Sequence, residues 1–260
     1  MILTGGGAET IATVLARGAE ERKDETFLLF ETSEGSQLER SWSEIADRAA
    51  RMANLLTSLG VSPGNRVNVH LANSPEFYDC WFGCALAGAV MVPTNPILSR
   101  AELNYELAHA GCVVGVTQPD LATAVEEARC GSLREVVIAR DHGFEEQLAV
   151  RSDVFDATDR GPEDVAAILY TSGTTSRPKG VMVTNANYLY AGEVVAQHLR
   201  IRPDDRWLVV LPLFHANAQY YSTMSAVVSG ASIALTERFS ASRWPRQAAR
   251  LRATIASLFA

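Results

Sequence analysis

Apolar and polar positions along this chain alternate between a helical spacing and short unbroken apolar runs, almost from end to end. Ile11, Val14 and Leu15 fall on one face of a first amphipathic helix. Segments 27–30 and 38–41 read as two strands of a hairpin about Gly35. Ser41-x-x-Glu44 is a capping-box pattern, and the helix it opens carries Ile45, Ala49, Met52, Leu56 and Leu59 on one face. Gly60 stops that helix and Pro63-Gly64 turns the chain.

The alternation continues with a strand at 66–71, a helix starting at Ser74-Pro75 and running to Gly88, and a strand at 89–92. Ser99-x-x-Glu102 caps a further helix, followed by a strand at 112–116, a helix near 121–129 and a strand at 136–138. Residues 153–164 are polar and read as a surface connection into a strand at 165–170. Beyond it the pattern predicts a helix at 186–199, a strand at 207–211, a helix at 214–228 and a strand at 231–235. A helix through Arg252 and a strand at 254–259 close the series. Strand–helix alternation of this kind predicts an α/β fold with parallel pairing and helices on the sheet faces.

One stretch departs from both periods. Behind the buried strand at 165–170 lies Tyr170-Thr-Ser-Gly-Thr-Thr-Ser-Arg-Pro-Lys179-Gly180. Thr171, Ser172, Thr174, Thr175 and Ser176 supply hydroxyls, and Gly173 lets the backbone approach an anion closely. Lys179 adds a compact cation and Pro178 stiffens the approach to it. The composition suits a polyphosphate; the plainer alternative for Lys179 is a solvated loop lysine. It is not a Walker loop, because Lys179 is followed by Gly180 rather than a hydroxyl, and Pro178 stands where the second glycine belongs.

Composition narrows the classes. The 260 residues are 47% hydrophobic and 20% charged, ordinary for a globular protein with a sizeable core. A net charge of −7 without a Lys/Arg cluster argues against a nucleic-acid surface. Met1–Gly7 lacks the form of a secretory signal, and no run of 18 apolar residues offers a membrane span, so a cytoplasmic setting is expected. Cys80, Cys84, Cys112 and Cys130 form no zinc pattern and read as buried thiols. A hydrolase elbow and a dinucleotide-binding fingerprint are both missing.

The order Thr-Ser-Gly-Thr-Thr-x-x-Pro-Lys-Gly resembles the phosphate loop of the adenylate-forming (AMP-binding) superfamily of acyl-CoA synthetases, peptide-synthetase adenylation domains and luciferase. The segment Val181–Asn185, the run Leu211-Pro-Leu-Phe-His215, and Asn95-Pro96 after Val-Pro93 resemble further motifs of that family, in the right order. Ser176 stands where glycine is commonest, which leans towards the acyl-CoA synthetase branch. The run Asn217-Ala-Gln219 is similar to that of carnitine- or crotonobetaine-type ligases.

The resemblance implies an acid–CoA ligase that makes an acyl-AMP and pyrophosphate from a carboxylic acid and ATP, then passes the acyl group to CoA. It implies ATP contacts from Thr171, Ser172, Gly173, Thr174, Thr175 and Lys179, with the Thr171 hydroxyl also helping to hold Mg²⁺. It implies that His215 orients the acyl group, with Asn217, Gln219 and Tyr220 lining the acid pocket. The alternatives are a histidine satisfied within the core and polar residues on a helix surface. His109 and His198 sit near helix ends, where a charge–dipole contact is the plain reading.

The family's Thr-Glu magnesium motif, ribose aspartate and C-terminal lysine domain do not occur in these residues. The chain is therefore expected to be the N-terminal portion of such an enzyme, inactive by itself and prone to dimerise through exposed apolar surface. Its expected parts are an N-terminal hairpin and helix (1–54) adding to a second sheet, a first α/β subdomain (55–206) carrying the loop at 170–180, and a truncated second subdomain (207–260). An adenylation domain that loads an amino or aryl acid onto a carrier protein, and a non-catalytic nucleotide- or partner-binding module, are the other readings.

Overall fold

The computed structural model describes residues 9–171 and 177–258. Along the chain, α1 (Ile11–Glu21), β1 (Thr26–Glu31), β2 (Gln37–Ser41) and α2 (Trp42–Ser58) come first. β3 (Arg66–His70), α3 (Pro75–Leu86), β4 (Val90–Pro93), α4 (Arg100–Ala110) and β5 (Cys112–Thr117) follow. A short 3₁₀ turn leads into α5 (Ala122–Glu127), β6 (Glu135–Ile138), α6 (His142–Ala149), β7 (Val165–Thr171) and β8 (Lys179–Thr184). The remainder is α7 (Asn185–Leu199), β9 (Arg206–Val209), a π-helix (Asn217–Met224), α8 (Ser225–Ser229), β10 (Ser232–Thr236), α9 (Trp244–Arg250) and β11 (Ile255–Ala256).

The caps read from sequence hold these helices in place. Ser41 N–H donates to the Glu44 carboxylate at 2.7 Å while Ser41 Oγ accepts from Glu44 N–H. Ser99 and Glu102 make the same reciprocal pair at the start of α4, and Gly111, with φ of 66°, closes that helix in the left-handed region. Helix α6 is an element the apolar pattern did not predict. Only Phe144 and Leu148 are buried in its eight residues, and its start depends on Asp141 accepting from Phe144 N–H.

The chain divides into two compact units. One comprises Asp47–Leu71 and the described part of Glu76–Thr184. Its six-stranded sheet has the order β6-β5-β3-β4-β7-β8, parallel throughout except for the antiparallel pair β7–β8. Val67, Val69, Val92, Val114 and Val116 are fully buried, as expected of strands covered on both faces. On α3, the rings of Tyr78, Trp81 and Phe82 stack at 5.7–6.5 Å. Arg48 of α2 holds α3 and α6 together, reaching Asp79 at 2.8 Å and gripping Glu145 with both terminal nitrogens.

The second unit comprises Ala72–Pro75 and the described parts of Met1–Ala46 and Asn185–Ala260. Its five-stranded sheet runs β11-β9-β10-β1-β2, with β1–β2 the antiparallel hairpin expected from sequence and the other pairs parallel. Phe27 meets Trp42 edge to face at 4.6 Å within the core that also buries Ile11, Leu15, Leu28 and Ile233. The Asn185 side chain accepts from Ile11 N–H, so one residue caps the start of α1 from the start of α7.

The expected helix at 214–228 is mostly π-helical. Apolar spacing cannot separate a five-residue from a four-residue hydrogen-bond ladder. Side chains support the wider winding: Thr223 Oγ1 donates to Ala218 O at 2.8 Å, and the Tyr188 hydroxyl of α7 donates to Gln219 Oε1. Gly192 of α7 permits the close approach, since a Cβ there would lie 2.7 Å from the Met224 carbonyl carbon and 2.8 Å from its oxygen. Gly192→Ala is expected to destabilise this unit by about 1–3 kcal/mol, because backbone rather than a flexible side chain must move. Urea unfolding of the variant checks this, and an unchanged midpoint would refute the packing argument.

Candidate functional site

The first group of site residues stands where β7 turns into β8. In the antiparallel register Tyr170 pairs with Gly180 and Thr171 with Lys179, so the two ends of the loop are fixed opposite each other. Thr171 and Lys179 are both exposed. Ser172, Gly173, Thr174, Thr175 and Ser176 lie outside the described residues. The glycine after Lys179 has a steric cause: a Cβ on Gly180 would come within 2.7 Å of Ile168 Cγ2. Strand β8 can thus lie close against β7 and deliver Lys179 directly across from Thr171.

Helix α4 supports the arm that carries the lysine. Tyr105 donates its hydroxyl proton to Pro178 O at 3.2 Å, and the Arg177 guanidinium lies 5.3 Å from the centroid of the Tyr105 ring. The Tyr170 hydroxyl donates to Glu106 O at 3.2 Å and lies 2.7 Å from His109 Nδ1. A carbonyl only accepts, so His109 is the donor in the second bond, carrying its proton on Nδ1. His109, read from sequence as a helix-end charge, therefore has a specific partner on β7. His198 instead donates Nδ1–H to the carbonyl one turn back, Val194 O at 2.7 Å.

Glu106 sits under this arm, 4% exposed and with no ion pair among the described residues. Burial, and then the nearby Glu102 charge, push its pKa up to about 7. A carboxyl raised above its unfolded value stabilises the fold fully below about pH 4.5, and that contribution is lost as pH rises through about 7. Glu106→Gln should therefore gain about 2–3 kcal/mol over the parent at pH 8, and little at pH 4.5. Chemical unfolding at the two pH values measures this, and a pH-independent difference would contradict it.

The second group follows β9 in the other unit. The Asn73 side chain fixes its base: Nδ2 donates to Leu211 O and Thr236 O at 3.1 and 3.2 Å, while Oδ1 accepts from Leu213 N–H at 2.8 Å. The turn so held presents His215, whose N–H donates to Pro212 O. Asn73 was not singled out from sequence, because a side chain serving two strand ends has no local pattern.

His215 is exposed, with its ring 4.1 Å from that of Phe214. Partial burial of the imidazole lowers its pKa, so it is neutral at pH 7 and able to donate or accept a hydrogen bond. Asn217 opens the π-helix half-buried, and its Oδ1 has no hydrogen-bond partner. Gln219 is fully buried and committed internally, donating to Leu213 O at 2.7 Å and accepting from Tyr188. Tyr220 packs edge to face on Tyr188 at 5.0 Å.

A hydroxyl and a lysine held opposite each other suit an anion, and a neutral imidazole can donate a hydrogen bond to an acid. Among the described residues no group of three carboxylate, imidazole or thiol side chains is assembled for a metal ion. Thr171 offers one hydroxyl, so the described residues do not make a magnesium site by themselves. No helix among them is long and apolar enough to cross a membrane.

The AMP-binding enzyme family model matches residues 15–259. The crotonobetaine/carnitine–CoA ligase of Shigella flexneri serotype 5b is 36% identical over 242 residues, covering 88% of this chain and 48% of the relative. The ATP-bound crystal structure of MatB from Rhodopseudomonas palustris superposes with a TM-score of 0.82 at 28% identity, over 94% of this chain and 48% of that one. The fatty acyl CoA synthetase of Mycobacterium tuberculosis superposes with a TM-score of 0.85 at 26% identity, over 95% and 48% of the two chains. The chain thus spans about half the length of the curated relatives it matches.

Proposed function

The chain belongs to the AMP-binding enzyme family, and on that premise we propose that it forms the N-terminal half of an ATP-dependent acid–CoA ligase. The observation that carries the proposal is the β7–β8 hairpin, which sets Thr171 opposite Lys179 at the two ends of a hydroxyl- and glycine-rich loop. Acyl-adenylate formation needs little covalent help from protein; it needs position and relief of charge on the leaving pyrophosphate. Lys179 neutralises that charge, while Thr171, Ser172, Thr174 and Thr175 with the amide of Gly173 bind phosphate oxygens. Mg²⁺ accompanies ATP in this reading, with Thr171 as its one assigned protein ligand.

His215, as neutral imidazole, donates a hydrogen bond to the acid's carboxylate, and Asn217 lines the acid's path. The acid we favour is a small polar one of the crotonobetaine or carnitine type. The 36% identical relative supports this choice over a long acyl chain. Four free cysteines support a reducing, cytoplasmic setting. ATP–pyrophosphate exchange by the full-length ligase with a panel of acids tests the reading, with CoA and a carrier protein compared as acceptors. Exchange with small polar acids and transfer to CoA is the expected result; transfer to the carrier alone would overturn it.

A further inference from the structure

Apart from the groups above, a cavity of about 250 Å³ opens between the β1–β2 turn and α9. Arg243, Arg246 and Arg250, spaced i, i+3 and i+7, line it together with Gln247, Ser33 and Glu34. Arg250 is already committed: its Nε and one terminal nitrogen grip the buried Glu31 carboxylate at 2.8 and 2.6 Å, and Gln247 Nε2 donates to the same group. Arg243 donates only to Ser33 O, at 2.9 Å, and Arg246 has neither a hydrogen bond nor an ion pair among the described residues. Glu31 and Glu34 oppose three guanidinium groups, so the lining carries an excess positive charge.

Two lining residues carry polar atoms with no partner. Gln247 is 95% buried, being 5% exposed, and its Oε1 accepts nothing; the Ser33 hydroxyl is likewise unbonded. A tetrahedral oxyanion with one protonated oxygen answers all of these together. Its oxygens accept from two guanidinium forks and from the serine hydroxyl, while its P–OH donates to the amide oxygen. A carboxylate has no proton to give at neutral pH, and a cation would meet the arginines.

We propose that the cavity between the β1–β2 turn and α9 is a binding site for a phosphate group, with Arg243 and Arg246 as its principal donors. This site is independent of the phosphate loop, and the Glu31–Arg250 pair serves as its rigid floor.

Calorimetric titration tests it at ionic strength held constant with chloride, using the chain in a Lys179→Ala background so that the loop's own anion affinity is suppressed. Inorganic phosphate and glycerol 3-phosphate are the two probes. Saturable binding is expected, weakened about tenfold or more by Arg246→Gln or Arg243→Gln and unchanged by Arg202→Gln, an exposed charge elsewhere in the same unit. Tighter binding of inorganic phosphate, which keeps a P–OH at neutral pH where the ester is mostly a dianion without one, supports the proposal; tighter binding of the ester would overturn it. Equal affinity in the Arg246, Arg243 and Arg202 variants, or no saturable binding, would overturn it. Both arginines are exposed, so their loss does not threaten folding.

Discussion

Under the proposed ligase reading, Lys179→Ala is expected to slow acyl-adenylate formation by the intact enzyme by about 10²–10³-fold, the typical effect of removing one preorganised charge from a developing anion. The side chain is exposed at the first residue of β8, and the backbone pairing of Lys179 with Thr171 does not depend on it. Stability should therefore stay within about 0.5 kcal/mol of the parent, separating a chemical effect from a folding one. Lys179→Arg is a useful companion: it keeps the charge but replaces a compact ammonium by a planar fork, and partial recovery is expected. ATP–pyrophosphate exchange at saturating acid gives the rate. An unchanged rate in the alanine variant would return Lys179 to a solvated loop residue.

The largest expected effect on folding comes from Arg48→Met. Arg48 is the described cation beside Asp79, whose side chain is fully buried, and it also reaches Glu145, whose side chain is 51% exposed. Removing it takes the guanidinium away from a fully buried carboxylate in the six-stranded unit, which costs about 3–5 kcal/mol. Glu145→Gln should cost under about 1 kcal/mol, since that partner is half in water and Asp79 keeps its cation. Urea unfolding of the two variants measures the asymmetry. Equal losses would mean that the pair acts as a surface bridge.

Much of the architecture was legible before any coordinates. The capping boxes at Ser41 and Ser99, the hairpin about Gly35 and the apolar strands at 66–71 and 112–116 are local signals, each settled by residues within a turn or a strand of one another. The order of residues from Thr171 to Lys179 is a local signal too, and the structure pairs its two ends across β7 and β8. Tyr105, Glu106 and His109 were not legible as its support. They belong to α4, and only the parallel sheet beneath brings that helix against Tyr170 and Pro178. Gln219 looked like a candidate substrate ligand in sequence, whereas its amide is spent on Tyr188 and Leu213.

The sequence by itself determined the alternation of helices and strands, the hairpin about Gly35 and the family resemblance, all of which rest on short-range periodicity and motif order. Only the tertiary structure decided that Lys179 faces Thr171, that residues 217–224 wind as a π-helix against Gly192, and that Asn73 anchors the turn bearing His215. These depend on which strands become neighbours and how closely two backbones approach. Such contacts are set by packing between residues far apart in the chain, and no local pattern encodes them.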